Sequence, residues 1–487
     1  MVEKLFTSIQ SFLSPTYDWL PTSDDKPPLH ESLDYAKHFA GKLLLRQEIP
    51  LDDQTLHSLL SNQNFVSIDA IEQHLWGHRC RRCGNKQKHL FADIPCARCS
   101  HTHVYCRKCI EMGRIMQCEP LYYWIGSKPI WLQQDNPCEW QGELTHYQQH
   151  ASDEITNTMM KGNSELLVWA VCGAGKTEML FHGISESLKH SKRVCLATPR
   201  ADVVRELRPR FQKAFPETEI EALYGGSEQK QGKGQLIIAT THQLLRFAHA
   251  FDVMVIDEID AFPFHADASL PFAAGRAAKP DASTIYLTAT PRKKHRKQVQ
   301  SKKLSAVFVP VRFHGHPLPL PILHMCFSLK KSLSQFQAPP AFLKWYNSRV
   351  NPNRQLLIFV PMIELAEKLV GHLVDQQLVA KEKITSVHAS DSDREEKVIK
   401  FRENKLTLLI TTTILERGVT FPSVDVVVLD AGHDVFDEAA LVQIAGRAGR
   451  SPNDPTGEVI FFHDGKTDAM VEAIASIKQM NKRGRKL

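Results

Sequence analysis

Short apolar runs recur along the later two-thirds of the chain, each ending in small, hydroxylic or acidic residues before a stretch of helical character. They begin with Leu166–Val171 and continue through Arg193–Thr198, Leu236–Thr241, Phe251–Ile256 and Ile285–Thr290. Runs this short, without polar alternation, predict strands buried on both faces, and their alternation with helices predicts an α/β domain with a doubly wound parallel sheet. Phe313-His-Gly-His-Pro-Leu-Pro-Leu-Pro321 interrupts the rhythm, since three prolines and a glycine fit inside neither element type, and reads as a hinge. The rhythm then restarts with Gln355–Val360, Ile384–His388, Leu406–Thr413, Val424–Leu429 and Thr456–Phe462, which predicts a second domain of the same kind; a closing helix with a basic tail, Lys482 to Lys486, follows. The expected divisions are an N-terminal segment of residues 1–75, a cysteine module of 76–140, a first α/β domain of 141–312 and a second of 313–487. In the first segment Pro15, Pro21, Pro27 and Pro28 break the chain, and Leu33–Leu45 and Leu51–Leu60 suit short amphipathic helices without evident chemistry.

The run Leu166–Val171 breaks into Cys172-Gly-Ala-Gly-Lys-Thr177, followed by Glu178-Met-Leu-Phe-His182. Strand, glycine loop and helix in that order make a phosphate cradle. Gly173, Ala174 and Gly175 turn backbone N–H groups toward an anion at a helix N-terminus, Lys176 reaches the β- and γ-phosphates of ATP, and the Thr177 hydroxyl holds Mg²⁺. Ala170 stands at the first glycine position of the usual pattern. The strand Phe251–Ile256 delivers Asp257 and Glu258 at its carboxyl end, where one acid holds Mg²⁺ and the other aligns a water. Thr198-Pro199-Arg200, Thr240-Thr241 and Thr411 occupy other strand ends, the places where open α/β sheets bind ligands. Gln148, ahead of the loop, can read an adenine edge with its amide. Gln443, Arg447 and Arg450, at helical spacing, form a group aimed across a cleft, with the arginines as fingers for a γ-phosphate. The run Arg292-Lys-Lys-His-Arg-Lys297 is read as a solvated helix face in preference to the alternative, a DNA-facing loop.

Composition adds limits. A hydrophobic content of 43% against 23% charged residues is that of an ordinary globular protein, and a length of 487 residues allows about three domains. The net charge of +6 permits a polyanionic partner without requiring one. No apolar run approaches the ~18 residues of a transmembrane helix and Met1–Gln10 carries no export core, so the expected location is cytoplasmic. Eight of the eleven cysteines lie between residues 80 and 138, six of them in three C-x-x-C pairs: Cys80/Cys83, Cys96/Cys99 and Cys106/Cys109. Two thiolates on one tight turn face one tetrahedral ion, so this pattern predicts zinc held by four sulfurs; which four of the six is open on spacing alone. Between Cys80 and Gln117 eight Lys/Arg stand against two acids, which suits either phosphate contact or compensation of a zinc-thiolate centre.

In order, Gln148, Gly173 to Thr177, Thr198-Pro199-Arg200, Thr240-Thr241, Asp257-Glu258-Ile259-Asp260, Thr288-Ala289-Thr290, Thr411 to Thr420 and Gln443 to Arg450 resemble a superfamily-two helicase core of two RecA-like domains. Behind a cysteine module ending Tyr105-Cys-Arg-Lys-Cys109, the stretches Trp169 to Met179, Thr240 to Leu245, Asp260 to Pro263 and Thr411 to Thr420 are similar to the ComFA family of competence ATPases. The resemblance implies ATP-driven movement on single-stranded DNA, a role for Gly418 at the nucleotide, and ComFC and DprA as partners beside the membrane DNA channel, with a peripheral place at the inner face of the cell membrane. It also favours Cys80, Cys83, Cys106 and Cys109 as the zinc ligands, with Cys96 and Cys99 as the alternative second pair. Thr420 stands where many helicases carry an Asp. Primosomal PriA helicases share the core but hold their cysteines in the second lobe. The competing readings are a replication-restart or repair helicase, and a zinc-anchored scaffold with an ATPase switch.

Overall fold

The computed structural model describes residues 19–21, 30–228 and 231–485; the readings of Met1–Gln10, Pro15, Pro27, Pro28 and Lys486 lie outside the described residues. The apolar runs are strands. In the first sheet they stand in the order Ile220–Leu223, Leu236–Thr240, Val194–Thr198, Phe251–Ile256, Ala278–Thr288, Ser164–Ala170 and Ser305–Val309. The pairings from Ile220–Leu223 across to Ala278–Thr288 are parallel, with Thr198 level with Thr240. In the second sheet the order is Ile322–Met325, Val459–His463, Val424–Leu429, Gln355–Phe359, Leu408–Thr411 and Ile384–Val387, all parallel. Both are RecA-like parallel sheets, so the expected α/β class holds. The chain forms two compact units: the described residues up to Glu143 with Ser152–Leu167 and Leu180–Leu287, and Leu144–Ala151 with Val168–Met179 and the described residues from Thr288 onward.

In the N-terminal part, helices His30–Phe39 and Asp53–Ser61 cover a three-stranded antiparallel sheet ordered Leu43–Leu44, Leu121–Trp124, Phe65–Ile68. The first helix stops well short of the expected Leu45. Gly41 takes a left-handed φ of +73°, and a Cβ there would lie 2.7 Å from the Cα of Ala250, so the chain must turn at a residue without a side chain. Phe65 faces Trp124 across the sheet, and everything between these strands is the cysteine module. The expected division at residue 75 thus falls inside a hairpin, Ile71–His74 with Gly77–Cys80.

The proline-rich stretch 313–321 is coil, and Asn481 of the helix Asp468–Gly484 holds it at two points, accepting from the Leu318 N–H at 3.0 Å and donating to its carbonyl at 2.9 Å. The basic run is indeed a helix, Lys293–Gln300, with no buried residue, and Arg292, Lys293 and Arg296 pair with Asp437, Glu472 and Glu438. Lys/Arg charge that is already matched by carboxylates is a poor phosphate surface.

The second sheet buries one carboxylate. Asp425, fully buried, meets Arg349 at 2.6 Å and Arg354 at 3.4 Å and accepts from the Glu458 N–H at 2.9 Å. Removing one partner of such a set leaves buried guanidinium charge uncompensated, which costs about 3 to 5 kcal/mol. Asp425→Ala should lower the denaturation midpoint of the second unit accordingly, and an unchanged midpoint in guanidinium titration would show that solvent reaches Arg349 after all.

Candidate nucleotide site and metal centre

The strand Ser164–Ala170 ends in a loop, Val171 to Thr177, and the helix Glu178–Lys189 begins directly after it. Gly173 and Gly175 both have left-handed φ, +78° and +70°. Such angles are what let successive N–H groups face one point. Lys176 and Thr177 are half-buried in the turn before the helix. Gln148 lies one turn into the helix His146–Lys161; its Oε1 accepts from the Thr145 N–H at 2.8 Å, half of a capping box, and its Nε2 donates to the Ala174 carbonyl at 2.9 Å. The amide expected to read an adenine therefore also holds the phosphate loop, and a Cβ on Gly175 would stand 2.5 Å from it.

Gln443 is buried in the helix Glu438–Ala445, and its Oε1 accepts from Cys172 Sγ at 3.0 Å. The expectation that Arg447 and Arg450 share its helical face needs correction, because the helix stops at Ala445 and Gly449 turns the chain at φ +63°. The two arginines still converge, through the turn. Both donate to the Val419 carbonyl; Arg447 also reaches the Glu416 carbonyl at 3.1 Å, and Arg450 the Thr420 hydroxyl at 3.2 Å. Gly418, at φ +75°, makes the loop they clasp. Arg447 is buried, whereas Arg450 is half-exposed. A third guanidinium escaped the sequence reading. Arg312, buried after the strand Ser305–Val309, donates to the Gly449 carbonyl, and a Cβ on Gly173 would stand 3.9 Å from its side chain; burial, with Arg450 beside it, pulls its pKa down to about 10. A lone arginine ahead of a proline-rich stretch carries no motif, so only the fold reveals it.

Asp257 and Glu258 follow the strand Phe251–Ile256, both half-buried; Glu258 takes φ +54°, and its N–H donates to Asp257 Oδ1 at 2.9 Å. Left-handed backbone at a residue with a side chain costs of the order of 1 kcal/mol or more and is typical of working sites. The strand-end hydroxyls are placed less favourably for the expected DNA contact. Thr198, Thr240, Thr241 and Thr411 are all buried, and Thr411 Oγ1 donates to the Val387 carbonyl at 2.8 Å. Pro199 is buried beside Thr198, and Arg200, half-buried, caps the helix Ala201–Ala214.

The cysteines separate into two groups. The sulfurs of Cys80, Cys83, Cys106 and Cys109 all lie within 4.8 Å of one another and are buried, while those of Cys96 and Cys99 lie with Cys118. In the first group Cys80 stands 3.7 Å from Cys109 and Cys83 3.6 Å from Cys106. A tetrahedron with Zn–S of about 2.3 Å has edges of about 3.8 Å, so the set fits zinc. The surrounding thiols, Cys109 first, hold the Cys106 thiol far below its ordinary range, and those of Cys83 and Cys109 are pushed up. One sulfur ionises readily, and a bound ion would displace the remaining protons. The module's cations are partly committed: Arg82, fully buried, grips Glu48 at 2.8 and 3.0 Å, and Lys108 pairs with Asp267.

Residues 29–123 match the family described as the competence protein ComFA N-terminal domain, 141–293 the type III restriction enzyme res subunit and 338–452 the helicase conserved C-terminal domain. The chain is 42% identical to competence protein ComFA of Bacillus subtilis over 93% of its own length and 97% of that protein. It is 38% identical to competence protein ComFA of Streptococcus pneumoniae over 80% and 90%. The chain belongs to the ComFA family. Among solved structures, yeast Dbp5 bound to RNA and ADP BeF3 superimposes with a TM-score of 0.52 at 18% identity, covering 70% of this chain and 88% of that one, a likeness of fold.

For a ComFA-family chain with these helicase domains, ATP hydrolysis, ATP and Mg²⁺ as ligands and nucleic-acid binding follow, and the buried cysteine cluster is compatible with zinc. Among the described residues no helix is long and apolar enough to cross a membrane. If the four buried sulfurs hold an ion, Cys106→Ser should lower the zinc content of the purified chain by one ion and destabilise the module, because structural sites contribute about 10 to 16 kcal/mol of apparent binding energy. Full zinc retention in that variant, read by plasma mass spectrometry, would exclude Cys106 as a ligand.

Proposed function

We propose that this chain is an ATP-driven translocase on single-stranded DNA that assists import of transforming DNA during competence, with Lys176, Thr177, Asp257 and Glu258 acting on ATP-Mg²⁺ and Arg450 as the finger. The observation that supports it most directly is the contact of Cys172, inside the phosphate loop, with Gln443, seven residues before Arg450. A change at the phosphates would thereby reach the arginine turn, and through it the 416–420 loop, as conversion of hydrolysis into movement requires. The domain reading that goes with it is a first helicase domain of 141–312 and a second of 313–487. The competence role rests on the near full-length likeness to the two competence proteins, and ComFC, DprA and a place at the inner face of the membrane channel belong to the same proposal. Because Thr198, Thr240, Thr241 and Thr411 are buried, contact with the strand falls to the loops after them, through Arg200 and backbone N–H groups.

Between the strand Val424–Leu429 and the helix Glu438–Ala445 the chain has room for a short loop, and a wedge hairpin does not fit there. ATP turnover should rise with single-stranded DNA more than with duplex, fall steeply with salt as counterions are released, and vanish in Lys176→Ala. Efficient unaided opening of a duplex tens of base pairs long would favour the restart-helicase reading; turnover indifferent to DNA would favour the scaffold. Arg450→Ala should retain ATP binding while losing roughly 10³-fold or more in turnover, since a finger acts on transition-state charge. Equal losses in nucleotide affinity and turnover would make Arg450 a ground-state contact.

A further inference from the structure

Cys96 and Cys99, which do not join the buried cluster, occur in a turn built like the one that holds Cys80 and Cys83. In the first turn the Gly84 N–H donates to the Cys80 carbonyl at 2.8 Å, the Cys80 N–H donates to the Asn85 carbonyl at 3.0 Å, and Gly84 has φ +71°. In the second the Ser100 N–H donates to the Cys96 carbonyl at 2.9 Å, the Cys96 N–H donates to the His101 carbonyl at 2.9 Å, and Ser100 has φ +60°. The hydrogen-bond pattern and the left-handed residue fall at the same offsets from the first cysteine. In this second turn the left-handed place is taken by serine, which lacks glycine's freedom there; a side chain is held in that conformation only where surrounding structure requires it.

Cys118, Arg98 and His103 complete the surroundings. Cys118, just past the strand Ile115–Met116, brings its sulfur within 4.8 Å of those of Cys96 and Cys99. Arg98, inside the turn, pairs with Glu119 at 2.9 Å and so anchors the segment that carries Cys118. On the strand Thr102–Cys106, His103 points its Nε2 at Cys99 Sγ, 3.1 Å away. In a tetrahedral site with Zn–N near 2.05 Å and Zn–S near 2.3 Å the N···S edge is about 3.6 Å; the three sulfurs already lie together, and the imidazole, which meets Cys99 but stands outside that mutually close group, must swing toward the other sulfurs to complete it.

We propose that Cys96, Cys99, Cys118 and His103 form a second zinc site, which fastens the tip of the Phe91–Pro95/Thr102–Cys106 hairpin to the segment after Met116. Three thiolates and a neutral imidazole leave the zinc complex with a single negative charge, one less than at the four-sulfur site. Cys99 is exposed and Cys118 half-buried, whereas all four members of the other set are buried. The second ion is therefore the one that chelators reach first.

The test is zinc content of the purified full-length chain by plasma mass spectrometry. The wild type should carry two zinc ions, and Cys99→Ser and Cys118→Ser should each carry one. Because Cys99 is exposed, its serine variant keeps the core packing, and an unaltered circular dichroism spectrum shows that a lost ion is not a lost fold. With cobalt in place of zinc, His103→Ala should change the d–d spectrum of one of two bound ions, and a metal chelator should remove the ions in two phases. A single zinc in the wild type, wild-type zinc content in Cys99→Ser, or a chain lighter by the mass of two hydrogens, as a disulfide within this group would make it, overturns the proposal.

Discussion

A strand buried on both faces can place a chemically active side chain only beyond its end, and the rest of this protein follows from that constraint. Leu166 to Ala170, Val194 to Ala197, Leu236 to Ala239 and Val253 to Ile256 are all buried and apolar, apart from the backbone groups that their neighbours satisfy. Because the strands from Ile220–Leu223 across to Ala278–Thr288 are parallel, their carboxyl ends lie on one edge of the sheet. Thr198 and Thr240 are the last residues of such strands, Asp257 follows one directly, Lys176 and Thr177 follow the strand Ser164–Ala170 through its loop, and Thr411 ends a strand of the other sheet. Residues far apart in sequence thus come level through register, as Thr198 and Thr240 do.

That constraint also explains what could be read from the chain and what could not. Uninterrupted apolar runs identify the strands, and the closely spaced glycines before Lys176-Thr177 identify the phosphate loop, because both signals are local. The ends of helices are weaker signals. Gly446 and Gly449 lie in the motif whose spacing suggests a continuous helix through Arg450, yet the helix stops at Ala445. The hydroxyls of Thr198 and Thr411 look like ligand contacts in sequence, but only the packed sheet shows them turned inward. Cysteine pairs are legible as pairs, while their assignment to sites depends on Cys118, a residue without a partner in any motif.

The tie between the cysteine module and the helicase part was not legible at all. Arg276, buried in the helix Ser269–Ala277, donates to the Arg81 carbonyl at 2.8 Å, to that of Arg82, to Leu245 at 2.6 Å and to Phe247 at 3.1 Å. Phe272 of the same helix lies so close to Gly84 that a Cβ there would stand 2.7 Å from its ring. Two of the carbonyls that receive the guanidinium belong to residues between Cys80 and Cys83, so the turn that presents sulfurs inward presents oxygens outward. An ion that rigidifies the turn also fixes the acceptors of a buried charge, and opening the turn would strand that charge among apolar neighbours at a cost of several kcal/mol. The helix so held begins eleven residues after Glu258. A single arginine thus joins the turn of the first cysteine pair to the helix Ser269–Ala277.

The arginines of the second unit pose the complementary electrostatic problem. Arg312, Arg447 and Arg450 hold carbonyl oxygens of Gly449, Glu416, Val419 and Gly446. A carbonyl dipole orients a guanidinium and satisfies its N–H groups, but it carries no net charge, so the positive field of the group persists. The depressed pKa of Arg312, caused first by burial and then by Arg450, registers that repulsion. Holding like charges together costs stability, and the cost is offset when a polyanion enters. Carbonyl partners can also be exchanged for phosphate oxygens without separating an ion pair, which lowers the barrier to capture. Arg447, buried against two carbonyls, is suited to keep the 416–420 loop in shape. Arg450, half-exposed, holds the same loop from its rim, through the Val419 carbonyl and the Thr420 hydroxyl.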